Sequence, residues 1–268
     1  MENKEVDVTR EKNQNILESF QKFKDVLDSN QNLWENLYKI GREITLESKR
    51  LIFSLHRFYD STNKKRAITD AEKKTKAILE KFKKIAELLK DQNDSVLYAK
   101  AYTNGLQEFI EAISFKYFLQ NEEKNDNVES LLLKYNQVKQ LLTFEVESGP
   151  IVSVPVPKLD WVLGLADTTG ETMRMCVKLI SKVNSKDKFT SSPAYKLCLY
   201  NKLLFNLFNY LQPRLNLQKH QNKALLGKMS VLETSLKKCE DECSRFVIAA
   251  EENVPFYPTL DDTVELKI

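Results

Sequence analysis

No proline, the residue that interrupts an α-helix most strongly, occurs before Pro150 in this 268-residue chain. The whole sequence holds only six glycines and seven prolines. This scarcity of helix breakers over so long a stretch predicts a mostly α-helical protein. The length suits one or two domains, and it is sufficient for a sizeable hydrophobic core.

Apolar residues recur at helical spacing along most of the chain. The first amphipathic segment carries Ile16, Phe20, Phe23 and Leu27. The polar triplet at 28–30 is predicted to interrupt that helix or to start a new one. Further helices are predicted over 34–58, 64–90, 105–118, 128–142, 159–177, 194–211 and 225–246.

Two connections between these helices stand out. NEEKNDNVES at 121–130 is a polar hinge, and ESGPIVSVPVPK at 147–158 is a non-helical connector because of its glycine and three prolines. Ser192 before Pro193 predicts a capped helix start. The helix at 194–211 is apolar on nearly every side, so it must be buried. In the last helix, over 225–246, apolar residues repeat every three or four positions and form a seam like that of a coiled coil. This seam is compatible with packing within the chain or against a partner protein.

Two pairs of acidic residues lie on helix faces whose opposite sides are apolar. Glu108 and Glu111 are three residues apart, and Asp167 and Glu171 are four apart, so each pair shares one face of its helix. Asp160 lies about two turns before Asp167 on the same face. Each helix therefore buries one side and presents carboxylates on the other.

Acidic residues on a polar helix face are most often simply solvated, and that interpretation stays open for both pairs. Two features favour a functional site. Few lysines lie where they would form i,i+4 ion pairs. The neighbours Ala112, Phe115, Gly164 and Gly170 are small or apolar, which is typical of a covered face. If the two faces meet, four carboxylates need protons or a cation between them, and oxygen ligands favour Mg²⁺ or Mn²⁺ over zinc.

Basic residues mark two further segments. Arg50, His56 and Arg57 are candidate contacts for RNA phosphates, although a solvated helix face is the simpler interpretation and His56 also suits a structural hydrogen bond. Segment 64–90 carries ten basic and four acidic residues. It is interpreted first as a helix with a basic outer face and second as a nucleic-acid contact. Its first three residues, Lys64-Lys65-Arg66, match a minimal nuclear-import signal.

Three blocks of sequence resemble the translin family: REITLESKRLIFSLHR at 42–57, GLQEFIEAISF at 105–115 and LGLADTTGETMRMC at 163–176. The similarity runs from about residue 34 to about residue 247. It implies a single all-α, translin-like bundle of about seven long helices over 31–250. Residues 1–30 are then an N-terminal helical extension, and residues 251–268 an irregular C-terminal tail.

The resemblance also implies a function. Members of this kind are Mg²⁺-dependent endoribonuclease subunits, with Mn²⁺ as a substitute, whose catalytic acids fall on Glu108, Glu111, Asp167 and Glu171 here. Glu111 and Glu171 are the implied metal ligands. The implied partner is translin, in a hetero-octamer that encloses single-stranded or short RNA and accepts single-stranded DNA. The implied roles are clearance of passenger-strand fragments in RNA silencing and processing of tRNA fragments, in cytoplasm and nucleus.

Two other functions remain open on the sequence. One is a non-catalytic scaffold of the translin family that binds single-stranded DNA or RNA. Translin itself lacks this set of four acids, so their presence argues against a plain translin. The other is a helical adaptor that acts only through protein contacts.

Composition and charge exclude several other classes of protein. The formal net charge of +3 is close to balanced, which argues against a general polyanion binder. The amino terminus lacks the apolar core of a signal peptide, and no apolar run reaches the length of a membrane span, so we expect a soluble intracellular protein with no membrane partner. The four cysteines follow no zinc or redox spacing and are predicted to be buried free thiols.

Overall fold

The computed structural model of the protein describes residues 2–60, 64–92, 95–146, 149–183 and 189–258, with side chains from residue 15 onward. Within these ranges there are seven α-helices and one two-stranded antiparallel ribbon. The helices are α1 (Glu2–Leu55), α2 (Lys64–Leu89), α3 (Ala99–Asn121), α4 (Tyr135–Leu141), α5 (Lys158–Ile180), α6 (Pro193–Leu211) and α7 (Lys219–Glu251). The strands are β1 (Thr143–Phe144) and β2 (Val152–Ser153). The predicted all-α class is confirmed.

Helices α3 and α5 lie at the centre of the bundle. Helix α2 packs on α1, α1 on α3, α3 on α5, and α5 on both α6 and α7. The core between these helices is rich in fully buried aromatic side chains, each of which buries a large apolar area. They are Phe82, Tyr102, Phe109, Phe115, Phe118, Tyr200 and Phe208.

Three glycines allow the central helices to approach closely. A Cβ added at Gly105 on α3 would lie 2.5 Å from the carbonyl oxygen of Gly41 on α1. A Cβ added at Gly164 on α5 would lie 2.6 Å from the carbonyl oxygen of Gln107 on α3. These contacts are too short for any side chain, so glycine fixes the spacing of α1, α3 and α5. The Gly164 contact lies beside the acidic pairs of α3 and α5.

The predicted interruption of the first helix at 28–30 is wrong, because α1 runs unbroken from Glu2 to Leu55. Asp, Ser and Asn lower helix propensity only modestly, and neither glycine nor proline interrupts the segment. Side-chain hydrogen bonds from Gln21 to Asp25 and from Gln31 to Glu35, both 2.9 Å, support the helix on either side of the triplet. Residues 15–32 are all exposed, so this part of α1 projects from the bundle.

The region predicted as one helix over 128–142 is also divided. A 3₁₀ turn at Val128–Leu131 precedes α4, and the backbone is extended between them. The Asn127 side chain accepts a hydrogen bond from the Glu129 backbone at 2.9 Å and so starts the turn. The predicted non-helical connector is non-helical over 149–157, and its last residue, Lys158, begins α5. The connector holds β2 paired with β1. Its residues 147–148 lie outside the described residues.

The last two helices pack against the rest of the bundle. The predicted burial of α6 on every side is wrong, because Lys202, Asn206 and Asn209 are exposed and Tyr210 is 58% exposed. Ser192 accepts a hydrogen bond from the Tyr195 backbone at 3.2 Å and caps α6, as predicted. The seam of α7 is buried against the rest of the bundle at Leu225, Leu232, Leu236, Cys239, Cys243 and Phe246. All four cysteines are free and buried, as predicted. Beyond α7, residues 259–268 of the predicted tail lie outside the described residues. No helix in the described ranges combines the length and apolar character needed to cross a bilayer.

Candidate functional site

The contact between α3 and α5 brings the two acidic pairs together. Glu108 and Glu111 lie on α3, and Asp167 and Glu171 lie on α5, beside the close approach at Gly164. The negative charges of Glu108, Asp167 and Glu171 all act on Glu111, which places the four carboxylates in one electrostatic neighbourhood. This juxtaposition, which periodicity alone did not establish, is the central feature of the site.

Glu111 is the most buried of the four, with 8% of its surface exposed. It makes no hydrogen bond or ion pair with any other described residue. Burial, followed by the charges of Glu108, Glu171 and Asp167, raises its pKa to about 9. At neutral pH the Glu111 carboxyl is therefore protonated in the free chain. A buried acid without a protein partner is costly and is typical of functional sites.

Glu171 has the opposite electrostatic character. Its Oε2 lies 2.5 Å from His56 Nε2, and its Oε1 accepts a hydrogen bond from Arg174 at 2.9 Å. Burial disfavours the charged carboxylate, but the His56 hydrogen bond and the Arg174 charge outweigh burial, so the pKa of Glu171 is lowered. The His56 ring packs beside Phe115, with ring centroids 5.2 Å apart. His56 thus connects the end of α1 to the acidic site.

The other two acids each face a lysine from a different helix. Glu108 Oε2 lies 3.8 Å from Lys49 Nζ on α1. Burial raises the pKa of Glu108, and the Lys49 charge opposes that rise. Lys228 on α7 pairs with both carboxylate oxygens of Asp167. Among the described residues, cations therefore contact three of the four acids, and only Glu111 lacks one.

None of these basic partners is a lysine four residues away on the same helix, but three of the acids have basic partners of other kinds. Arg174 lies at i+3 on the helix of Glu171 and was visible in the sequence. Lys49 and Lys228 come from α1 and α7, so no spacing within α3 or α5 could indicate them. They reach the site because α1 packs on α3 and α7 packs on α5.

Asp160 joins the helices rather than the acidic cluster. Its Oδ1 accepts hydrogen bonds from Thr103 and Gln107 on α3, each at 2.7 Å. Burial raises its pKa, and these two donors oppose the rise. Asp160 therefore stabilises the α3–α5 contact about two turns before Asp167.

Of the remaining predicted RNA contacts, Arg50 lies on the outer surface of α1 and Arg57 lies just beyond the end of that helix. Arg50 donates a hydrogen bond to Glu47 at 2.7 Å. The Arg57 guanidinium lies over the Phe53 ring, 4.8 Å from its centroid, and Phe53 is 64% exposed. Of the three basic residues singled out in the sequence, His56 is the one that contacts an acid of the site.

The donor chemistry of the site fits a hard divalent cation, because carboxylate oxygens are the preferred ligands of Mg²⁺ and Mn²⁺. In the present arrangement, however, no three His, Cys, Asp or Glu side chains among the described residues converge closely enough to hold a metal ion. Lys228, Arg174 and His56 already contact Asp167 and Glu171. Cation binding would therefore require side-chain rearrangement, together with loss of the Glu111 proton.

Comparisons with known proteins agree with this architecture. The Translin family profile matches residues 32–248. Translin-associated protein X of Rattus norvegicus is 27% identical over 253 residues, covering 88% of this chain and 80% of that protein. The Translin-associated protein X homolog of Schizosaccharomyces pombe is 31% identical over 232 residues, covering 84% of this chain and 86% of that protein.

A solved structure described as the crystal structure of apo-NeC3PO shares the fold. Its TM-score is 0.53 and its sequence identity 16%, and the match covers 86% of this chain and 96% of that one. The family match spans most of the chain, including the α3 and α5 segments that carry the four acids. This chain belongs to the translin family.

Proposed function

We propose that this chain is the catalytic subunit of a Mg²⁺-dependent endoribonuclease that cleaves single-stranded or short RNA after assembly with translin. The observation that carries the proposal is Glu111. It is buried, lacks a partner among the described residues, and lies within the electrostatic influence of three other acids. A protein gains nothing structurally from such an arrangement, whereas a divalent cation would relieve both the burial and the repulsion.

In this proposal Glu111 and Glu171 hold the Mg²⁺ ion, and Glu108 and Asp167 complete the site directly or through water. Mn²⁺ has the same preference for oxygen and would substitute. When bound, the ion supplies a more nucleophilic water and neutralises charge on the phosphate. The protein residues do the rest. Glu111 releases its proton as the site forms, and His56 keeps Glu171 ionised and oriented.

The outer surface of α1 supports RNA as the substrate. Arg50 and Phe53 lie on the last two turns of α1 and Arg57 follows the helix end, and Phe53 is exposed beneath the Arg57 guanidinium. Cations interleaved with an exposed aromatic ring are suited to phosphates and stacked bases of a single strand, and such contacts carry little sequence preference. Single-stranded DNA would bind by the same contacts.

The relatives support translin as the partner, because the similar proteins are named for association with translin. The proposed assembly is a hetero-octamer that encloses the RNA. Clearance of small RNA fragments, including passenger strands in RNA silencing, and tRNA-fragment processing are the proposed roles, in cytoplasm and nucleus.

One experiment tests the proposal. The full chain is co-expressed with translin, and cleavage of a labelled single-stranded RNA is measured with Mg²⁺ and with excess EDTA. We expect Glu111→Gln and Asp167→Asn to abolish Mg²⁺-dependent cleavage while assembly and RNA binding persist, since both changes keep side-chain shape. Glu129→Gln, at an exposed acid on the 3₁₀ turn, is the matched control and should cleave normally. Cleavage in EDTA, or full activity of both site variants, would contradict the proposal.

The second candidate is a non-catalytic scaffold that binds single-stranded nucleic acid. The ion pairs of Lys228 with Asp167 and of Arg174 with Glu171 favour it, because they neutralise acids that a metal would otherwise need. The same experiment separates the two functions. A scaffold would bind the RNA with equal affinity in Mg²⁺ and EDTA and would leave it intact.

A further inference from the structure

A groove between α5 and α7 opens beside the acidic site. Its cavity has a volume of about 570 Å³. We call it the glycine groove. Its lining residues are Ala166, Asp167, Thr169 and Gly170 from α5, and His220, Lys223, Ala224, Gly227, Lys228 and Val231 from α7. Asp167 belongs to both the groove and the acidic cluster.

The two glycines of this groove have no packing role within the described chain. A Cβ added at Gly170 or Gly227 would meet nothing within 4 Å. By contrast, the helix contacts at Gly41, Gly105 and Gly164 leave no room for a Cβ. A glycine within a helix is destabilising relative to alanine, so it calls for a reason in packing or in function. Here both open glycines face the same cavity, and their missing side chains create its depth.

Charge indicates what the groove accepts. Lys223 and His220 are exposed at its rim, and Lys228 lines the groove where it pairs with Asp167. Asp167 is the one acidic lining residue, and Lys228 already neutralises it. The groove is therefore apolar and glycine-lined at its centre and cationic at its edge. This combination suits a nucleotide, whose base is flat and partly apolar and whose phosphate is anionic.

We propose that the glycine groove binds one nucleotide of the RNA strand, next to the phosphodiester that the acidic site cleaves. This inference rests on the proposed function. The ribose and base lie along Gly170 and Gly227, and the phosphate contacts Lys223 and Lys228. A helix of a partner protein is the alternative occupant. It is disfavoured because a packed helix would take the Lys223 ammonium group out of water without supplying an anion.

The test measures RNA binding without cleavage. The full chain, alone and co-assembled with translin, is titrated into a fluorescently labelled single-stranded oligouridylate in EDTA, and anisotropy gives the dissociation constant. Gly227→Leu fills the groove without a steric clash in the chain, whereas Gly227→Ala adds one methyl group. We expect Gly227→Leu to weaken binding about tenfold or more, since the leucine side chain would occupy the space of the ribose and base and remove their apolar contacts. We expect Gly227→Ala, which fills less of the groove, to weaken binding less than Gly227→Leu does.

A charge reversal provides the second arm. Lys223→Glu removes a rim cation, and Lys237→Glu is the matched control because Lys237 is an exposed lysine of α7 that does not line the groove. We expect Lys223→Glu to weaken binding and to lower the slope of log affinity against log salt by about 0.7, the value for one phosphate contact on a single strand. We expect Lys237→Glu to change neither.

Three results would overturn the inference. The first is parental RNA affinity for both Gly227→Leu and Lys223→Glu. The second is equal loss in Lys223→Glu and Lys237→Glu, which would indicate a diffuse charge effect. The third is loss of translin assembly in Gly227→Leu with RNA binding by the separate chain unchanged, which would assign the groove to a protein helix. Failure of the nuclease proposal is distinguishable: the parent assembly would then not cleave RNA in Mg²⁺, whatever happens to binding in EDTA.

Discussion

Glu111 gives the sharpest quantitative prediction about this chain. Its pKa is about 9 in the folded chain, against an ordinary value of 4.5. A raised folded-state pKa means that the stability it contributes is fully present below about pH 4.5 and is lost as pH rises through about 9. Each pH unit between these values removes about 1.4 kcal/mol. Between about pH 5 and pH 7 the loss is on the order of 3 kcal/mol.

Replacement of Glu111 by glutamine should remove this loss. The amide has nearly the same shape as the protonated acid and does not ionise. We therefore expect Glu111→Gln to match the parent chain near pH 5 and to exceed it by on the order of 3 kcal/mol near pH 7. Urea unfolding followed by far-ultraviolet circular dichroism, at several pH values in EDTA, measures the difference.

Glu171 provides a control, because the effect of its ionisation on stability has the opposite dependence on pH. Its pKa is lowered by His56 and Arg174 despite burial, so its contribution is present above the ordinary pKa and is lost as pH falls through the lowered one. Glu171→Gln should consequently be less stable than the parent chain near pH 7. A stability difference between Glu111→Gln and the parent chain that stays constant from about pH 5 to pH 8 would refute the reasoning about Glu111.

The raised pKa of Glu111 also predicts how Mg²⁺ binding depends on pH. If Glu111 binds the ion, binding at neutral pH must displace its proton, and the affinity should rise about tenfold per pH unit below pH 9. Calorimetric titration in two buffers of different ionisation enthalpy gives the number of protons released, which we expect to be about one per ion. Glu111→Gln should release none. Proton release that is equal in the parent and the variant would place the ion elsewhere.

Three further predictions concern packing and the site. Gly164→Ala should destabilise the chain by about 1–3 kcal/mol, because the added Cβ would overlap a carbonyl oxygen of α3. Gly227→Ala should stabilise the chain by about 0.5–1 kcal/mol, because its added Cβ faces open space. Thermal unfolding of the two variants and the parent chain measures both differences. Phe20→Ser should change the free energy of unfolding of the chain alone by less than about 0.5 kcal/mol, since Phe20 is 68% exposed; urea unfolding measures it, and a larger loss would mean that the α1 projection folds back. His56→Ala should raise the pKa of Glu171, because a hydrogen bond to the ionised carboxylate is removed. A carbon-detected NMR titration measures this pKa. An unchanged value would mean that Arg174 alone lowers the pKa of Glu171.

Local features of the fold followed from the sequence. The lack of proline before Pro150 and the helical spacing of apolar residues predicted a mostly α-helical chain, and Ser192 predicted the start of α6. The number of about seven helices came from the resemblance to the translin family. The boundary errors were local as well. At 28–30 the polar triplet was too weak a signal to stop α1, and at 128–142 the Asn127 cap produced a 3₁₀ turn instead of a continuous helix.

The sequence by itself determined that Glu108 with Glu111, and Asp167 with Glu171, share a helix face, because the 3.6-residue period fixes which side chains are neighbours on one helix. Only the tertiary structure decided that these faces meet, that Lys49 and Lys228 join them, and that Glu111 is left unpaired among the described residues. The physical reason is the distance along the chain over which each effect acts. Helical periodicity acts over a few residues, whereas the contact of α3 with α5 depends on how glycine-spaced helices far apart in the chain pack against a common core.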